Sequence, residues 1–214
     1  MVTALVTGFD AFGGETMNPA LEAVRRLPAR IDDIRIVTRE LPTVFGRSRA
    51  VLRAAMLEIR PDIVLCVGQA GGRSELSLER VAINVDDARI PDNAGQQPID
   101  EPIEPDGPAA YFSTLPVKAA VHALRAAGLP AGVSQTAGTF VCNHIFYGLM
   151  HSLATEFPGA RGGFLHIPYL PDQAANHPGQ PSMAVDLVTR GLGIVLQTTV
   201  ATMTDIAVSE GAVA

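Results

Sequence analysis

Three side chains of types able to carry out acyl transfer stand out: Cys142, His166 and Glu79. Cys142 lies in the segment Ser134–His144, where Gly138 and Thr139 mark a helix start and Thr139 is positioned to cap it. That places the thiol in or near the first helical turn. There, unpaired backbone N–H groups and the helix dipole favour an anion, and the thiolate is the nucleophile. The same residue also continues a core stripe with Phe146, Leu149 and Leu153, so position alone leaves catalysis and packing both open. A nucleophilic cysteine needs a base, and the base needs an orienting group. His144 is too close to Cys142 along one helix for the two side chains to face each other, and His151 is more than two turns on. His166 ends the apolar run Gly163–Ile167 just before Pro168, at the carboxyl end of an expected strand, where sites form in open α/β sheets. A hydrogen-bonded structural histidine is the competing reading. If Leu76 to Val85 is one strand, Glu79 shares a face with Val81, Ile83 and Val85. A carboxylate on such a face is costly unless paired. It is either the orienter of an imidazole or the partner of Arg80, Arg89 or another arginine. Cys66, in the apolar run Ile63–Val67, reads as an inert core thiol.

The elements that must position these groups alternate along the chain. Strands are expected at Val2–Thr7, Arg35–Leu41, Ile63–Val67, Leu76–Val85, Gly132–Gln135 and Gly162–Ile167. Helices are expected from Asn18, as cap of Pro19, to about Leu27, and at Phe45–Ile59, Pro116–Ala127 and Phe140–Ala154, with a last helical region from Ser182 to about Val208. The alternation implies an α/β fold: one domain over residues 1–214, built on a twisted mixed, mainly parallel sheet with helices on both faces. Residues 90–108 break the rhythm with five prolines, five acids and no lysine or arginine. This acidic Pro-rich loop is either a solvated excursion or a lid or subunit contact. Its acids lack the spacing of a calcium loop, so no metal is expected.

Composition sets outer limits. A length of 214 residues with 47% hydrophobic residues suffices for one full core. A net charge of −6 argues against a nucleic-acid partner. Two cysteines do not make a disulfide framework, which fits a reducing, cytoplasmic setting. The N-terminus lacks the pattern of a signal peptide. The uncharged stretch Ala126–Thr155 is interrupted by glycines, a proline and polar residues, so it reads as buried interior, not as a membrane span.

Four segments resemble the pyroglutamyl peptidase I (pyrrolidone-carboxylate peptidase) family of cysteine peptidases: Thr7–Pro19, Gly68–Asn84 continuing through Asp86–Asn93, Ser134–Asn143, and Phe164–Pro168. They occur in family order and span nearly the whole chain. The resemblance implies Cys142 as nucleophile, His166 as base and Glu79 as the acidic member, with no metal or organic cofactor. It also implies hydrolysis of the bond after an N-terminal pyroglutamyl residue through a thioester, with peptides as partners, and a homo-oligomer, commonly a tetramer. Phe9 and Phe12 resemble the family's pocket residues, Phe140 is a further candidate wall, and Gln69 or Asn18 are candidates for the polar edges of a lactam. The departures are Ala11, where the pattern expects Pro, and His144, where Gln is common. Two rival classes remain. Gly13-Gly14 and Gly68–Gly72 raise a nucleoside phosphorylase-like enzyme, although they lack the P-loop and dinucleotide patterns. A non-catalytic binding protein on the same scaffold is the other.

Overall fold

Continuous apolar runs become central strands covered on both faces, and amphipathic stretches become the covering helices. The computed structural model describes residues 1–211; the end of the featureless C-terminal segment lies outside them. In chain order the elements are β1 (Val2–Phe9), α1 (Pro19–Arg25), β2 (Arg30–Ile31), β3 (Ile34–Leu41), α2 (Arg47–Ile59), β4 (Ile63–Gln69), β5 (Leu76–Glu79), β6 (Val81–Ile83), β7 (Ala110–Phe112), α3 (Val117–Ala126), β8 (Ala131–Ser134), α4 (Val141–Thr155), β9 (Arg161–Ile167), α5 (Pro171–Ala174) and α6 (Val185–Ala201).

The main sheet has seven strands in the order β2-β3-β1-β4-β9-β5-β8. The pairs β1/β3, β1/β4, β4/β9 and β5/β8 are parallel, whereas β2/β3 and β5/β9 are antiparallel. One face packs α1, α3 and α6 through residues such as Val24, Leu124 and Leu192 against Val6, Leu65 and Leu165. The other packs α2 and α4 through Met56, Ile145 and Leu149 against Leu5, Val64 and Phe164. The expected mixed, mainly parallel sheet with helices on both faces is therefore present. No described helix is long and apolar enough to cross a membrane.

Local signals explain the element ends. Asn18 Oδ1 accepts the Ala20 N–H at 3.0 Å, and Pro19 opens α1. Arg60, in the left-handed region at φ 51°, ends α2 before Pro61. Two expectations need correction. Residues 76–85 do not form one strand: β5 ends at Glu79, and beyond Arg80 the chain leaves the main sheet so that β6 can pair antiparallel with β7 in a separate two-stranded sheet. Glu79 therefore does not share a continuous strand face with Val81, Ile83 and Val85. Thr139 does not cap α4: the cap position falls on Phe140, and Thr139 Oγ1 instead donates to the Asp87 carbonyl at 2.7 Å. The last helix is also shorter than expected, ending at Ala201.

Residues 90–108 hold no helix or strand, yet the beginning of the loop is anchored. Asp92 is buried and accepts the Phe45 N–H at 2.9 Å, and Asn93 Nδ2 donates to the Ala11 carbonyl at 2.8 Å. The loop thus ties the turn after β1 to the segment before α2, and both of these wall the site described next.

Candidate active site

The register of three adjacent strands assembles the site. Gly68 on β4 lies opposite His166 on β9, and Ser77 on β5 lies opposite His166 from the other side. Directly opposed residues share a sheet face, and strand side chains repeat every second residue. His166, Gly68, Ser77 and Glu79 therefore all face the layer of α2 and α4. The start of α4 then delivers Cys142 onto the same spot. A Cβ built on Gly68 would lie 2.9 Å from the Cys142 sulfur, so the thiol occupies the place that a side chain at 68 would take. Asn143 holds this helix start: its Oδ1 accepts the Ile83 N–H at 3.0 Å, and its Nδ2 donates to the Ile83 and Val85 carbonyls at 2.9 and 3.0 Å.

Beside the thiol's strand position sits an imidazole–carboxylate pair. His166 Nδ1–H donates to Glu79 Oε1 at 2.8 Å, and both residues are buried. A carboxylate can only accept, so this bond fixes the proton on Nδ1 and leaves Nε2 as the lone-pair nitrogen. The same Oε1 accepts Arg73 Nη1 at 2.7 Å, while Arg73 Nη2 donates to the Thr136 carbonyl at 3.0 Å. Arg73 supplies the countercharge that a fully buried carboxylate requires. Glu79 Oε2 has no partner among the described residues. Of the sequence alternatives for Glu79, orienter and ion pair, the geometry contains both at once. The arginine is Arg73, not Arg80 or Arg89, reached across the Gly71-Gly72 turn.

The electrostatics correct one expectation. Burial and, after it, the Glu79 charge push the Cys142 thiol up to about 12, with Arg73 opposing them. The helix start does not offset this desolvation. Burial also holds His166 below its ordinary value, against the Glu79 hydrogen bond. Cys66 is fully buried and likewise pushed up to about 12 by burial, in keeping with an inert core thiol.

Cys142 borders a small, nearly filled cavity lined by Phe9, Phe12, Asn18, Thr43, Gln69, Phe140 and Val141, with a free volume of about 10 Å³. The five lining residues expected from the sequence all meet here; Thr43 and Val141 are additional. Phe140 packs edge-on against Phe45 at 5.4 Å and at a 39° tilt against Phe12 at 6.2 Å. Both polar atoms of Asn18 are already engaged, Oδ1 by the helix cap and Nδ2 by the Asp10 carbonyl at 2.9 Å. Of the glycines that raised a phosphate site, Gly68 seats the thiol and Gly71 is covered by the Tyr169 ring, while Gly13 and Gly14 have open space beside them and serve a turn at φ 65° and 85°. Among the described residues no three His, Cys, Asp or Glu side chains are grouped to hold a metal.

A thiol at a helix start, set beside a carboxylate-held imidazole at the strand ends of an α/β sheet, defines a cysteine-type hydrolase. The comparisons narrow the class. The pyroglutamyl peptidase family profile matches residues 2–202. A pyrrolidone-carboxylate peptidase of Ralstonia nicotianae is 65% identical over 96% of each chain, and one of Escherichia fergusonii is 58% identical over 99% of each. The crystal structure of pyroglutamyl peptidase I from Bacillus amyloliquefaciens superposes with TM-score 0.95 at 50% identity, covering 97% of this chain and 99% of that one. The pyrrolidone carboxyl peptidase of Thermococcus litoralis gives 0.94 at 36% identity, covering 98% and 100%. The chain belongs to the pyroglutamyl peptidase family of cysteine-type hydrolases.

Proposed function

We propose that this chain removes an N-terminal pyroglutamyl residue from peptides, with Cys142 as nucleophile, His166 as general base and acid, and Glu79 as the group that orients the imidazole. The observation that carries the reading is the register that sets the Cys142 sulfur over Gly68, beside the Glu79-held His166, at the wall of a phenylalanine-lined cavity. His166 Nε2 takes the thiol proton as the sulfur attacks the carbonyl that follows the lactam ring. The resulting imidazolium is stabilised by Glu79 and returns its proton to the leaving amine. Water, activated by His166, then hydrolyses the thioester.

The oxyanion needs donors in place before charge develops. The Cys142 backbone N–H, in the first turn of α4, has no intrahelical partner. The Arg89 N–H is the second candidate, because Asp87 is tied to Thr139 through the Asp87 N–H at 2.9 Å and the Thr139 hydroxyl at 2.7 Å. The aromatic walls suit the flat, uncharged lactam, and a free glutamate would leave its charges unpaired there. The family resemblance and two unpaired thiols support a cytoplasmic, homo-oligomeric and specifically tetrameric enzyme.

The test is release of a fluorescent amine from L-pyroglutamyl amide by the reduced protein, with Cys142→Ser and Cys66→Ser in parallel and light scattering on the same samples. Turnover is expected in wild type and Cys66→Ser and not in Cys142→Ser. A folded, reduced wild type without turnover would overturn the activity, and a light-scattering mass other than four chains would overturn the assembly.

A further inference from the structure

The sheet face that carries the catalytic groups continues past them to β8, where it meets an open groove of about 460 Å³. Register sets one row of residues across four strands. Gly68 on β4 opposes His166 on β9, His166 opposes Ser77 on β5, and Ser77 opposes Gly132 on β8. Opposed residues share a face, so the row runs from the seat of the thiol through the imidazole and the Ser77 hydroxyl to the backbone at Gly132. The Glu75 carboxylate lies over that last position, since a Cβ built on Gly132 would strike its Oε1. Arg73, Ser74, Glu75, Ser77, Ser134 and Thr136 line the groove, among others. Ser77 is 3% exposed, yet its Oγ meets no hydrogen-bond partner among the described residues. Of the charged lining residues, Arg73 is engaged by Glu79 at 2.7 Å, whereas Glu75 makes no ion pair among the described residues. Together they offer a hydroxyl to a peptide group and an uncompensated negative charge to a cation.

The reaction decides which part of a substrate crosses this face. The acyl side of the sulfur is the phenylalanine-lined cavity, which Phe9 and Gln69 build at the ends of β1 and β4. The imidazole that protonates the leaving amine stands on β9. The scissile bond therefore points from β4 toward β9, and a chain continuing that way crosses β5 and reaches β8. Strands lie about 4.8 Å apart, so Gly132 is roughly 14 Å from Gly68, a span of about four extended residues. We propose that the groove over β5 and β8 holds the peptide chain that follows the pyroglutamyl ring, and that Glu75 makes it select chains with basic residues at the second to fourth positions beyond the ring. The proposal rests on the pyroglutamyl reading and adds to it where the departing chain lies and which charge it carries.

Steady-state kinetics on three substrates test it: L-pyroglutamyl-alanyl-trilysine amide, the matching triglutamate amide, and the fluorescent L-pyroglutamyl amide, which ends before the groove. Mass spectrometry reads the shortened peptides. Wild type is expected to favour the lysine peptide over the glutamate peptide about three- to tenfold in kcat/KM at low salt, and the preference shrinks as salt rises because exposed charges are screened. Glu75→Gln brings the ratio toward one, and Glu75→Lys inverts it. A folding defect lowers both peptides alike and leaves the ratio where it was. Asp33→Lys makes the same change in net charge at an exposed residue between β2 and β3, at the opposite edge of the sheet. It keeps the wild-type preference, which separates a local contact from the field of the whole protein. Equal kcat/KM for the two peptides in wild type, a ratio that Glu75→Lys leaves unmoved, or one that Asp33→Lys moves as far as Glu75→Lys, would overturn the proposal while leaving the peptidase intact. A reduced wild type inactive on the fluorescent amide would instead refute the underlying activity.

Discussion

The molecule contains two buried imidazole–carboxylate pairs that look alike until the far nitrogen is considered. His166 Nδ1 meets Glu79 at 2.8 Å, and His144 Nδ1 meets Asp86 at 2.7 Å. Each carboxylate leaves one oxygen without a partner among the described residues. However, His144 Nε2 accepts the Gly46 N–H at 3.0 Å, so every polar atom of that ring is occupied. It ties α4 to the start of α2 and to the segment before the acidic loop. His166 Nε2 is committed to no such bond, and its strand neighbour Gly68 carries the thiol above it. A histidine held by a carboxylate is therefore not in itself a catalytic signature; what matters is whether the second nitrogen is left for a substrate proton.

The largest expected break in this comparison comes from the rings themselves. His166→Ala should lower kcat/KM by a factor on the order of 10³ or more, since members of such a unit fail together. His144→Gln should stay within about threefold of wild type, because an amide can accept from Gly46 and donate to Asp86, with any loss read as a melting-temperature drop corresponding to about 1 kcal/mol. Comparable activity losses in both would erase the distinction. The next effect down is Glu79→Gln, expected to keep the fold and lower kcat about 10²- to 10⁴-fold by misdirecting the tautomer; wild-type turnover would remove Glu79 from the orienting role. The smallest is a shift in pH dependence. His166 is held below its ordinary value of 6.5, so the acid limb of kcat/KM should lie below that pH. Arg73 contributes to the lowering, hence Arg73→Met should raise the His166 pKa and move the acid limb to higher pH. An acid limb that stays put or moves down would show that Arg73 acts on Glu79 placement alone.

Much of this was legible in the residues. The apolar runs of β1, β4 and β9 and the helix start before Cys142 follow from local periodicity and turn chemistry. Cys142, His166 and Glu79 drew notice because each is a reactive type in apolar surroundings. What escaped was long-range. Arg80 marks the departure of β6 from the main sheet, yet an alternating pattern runs straight through it, and only pairing with the distant β7 decides the break. The Arg73–Glu79 ion pair depends on how the Gly71-Gly72 turn folds back. The Asp86–His144 contact spans 58 positions. The thiol's high pKa was misjudged for a related reason: the helix dipole is a local property, whereas burial depends on every layer of the fold.

Gly68 carries one further consequence. It lies in a strand buried along most of its length, where a Cβ would come within 2.7 Å of the Phe164 ring and 2.9 Å of the Cys142 sulfur. The missing side chain is what leaves room for the Cys142 sulfur against the sheet. Attempts to harden this scaffold by exchanging strand glycines for alanine would find position 68 closed: the new methyl group would push on the buried Phe164 ring and the thiol together, so stability and turnover would fall in the same substitution.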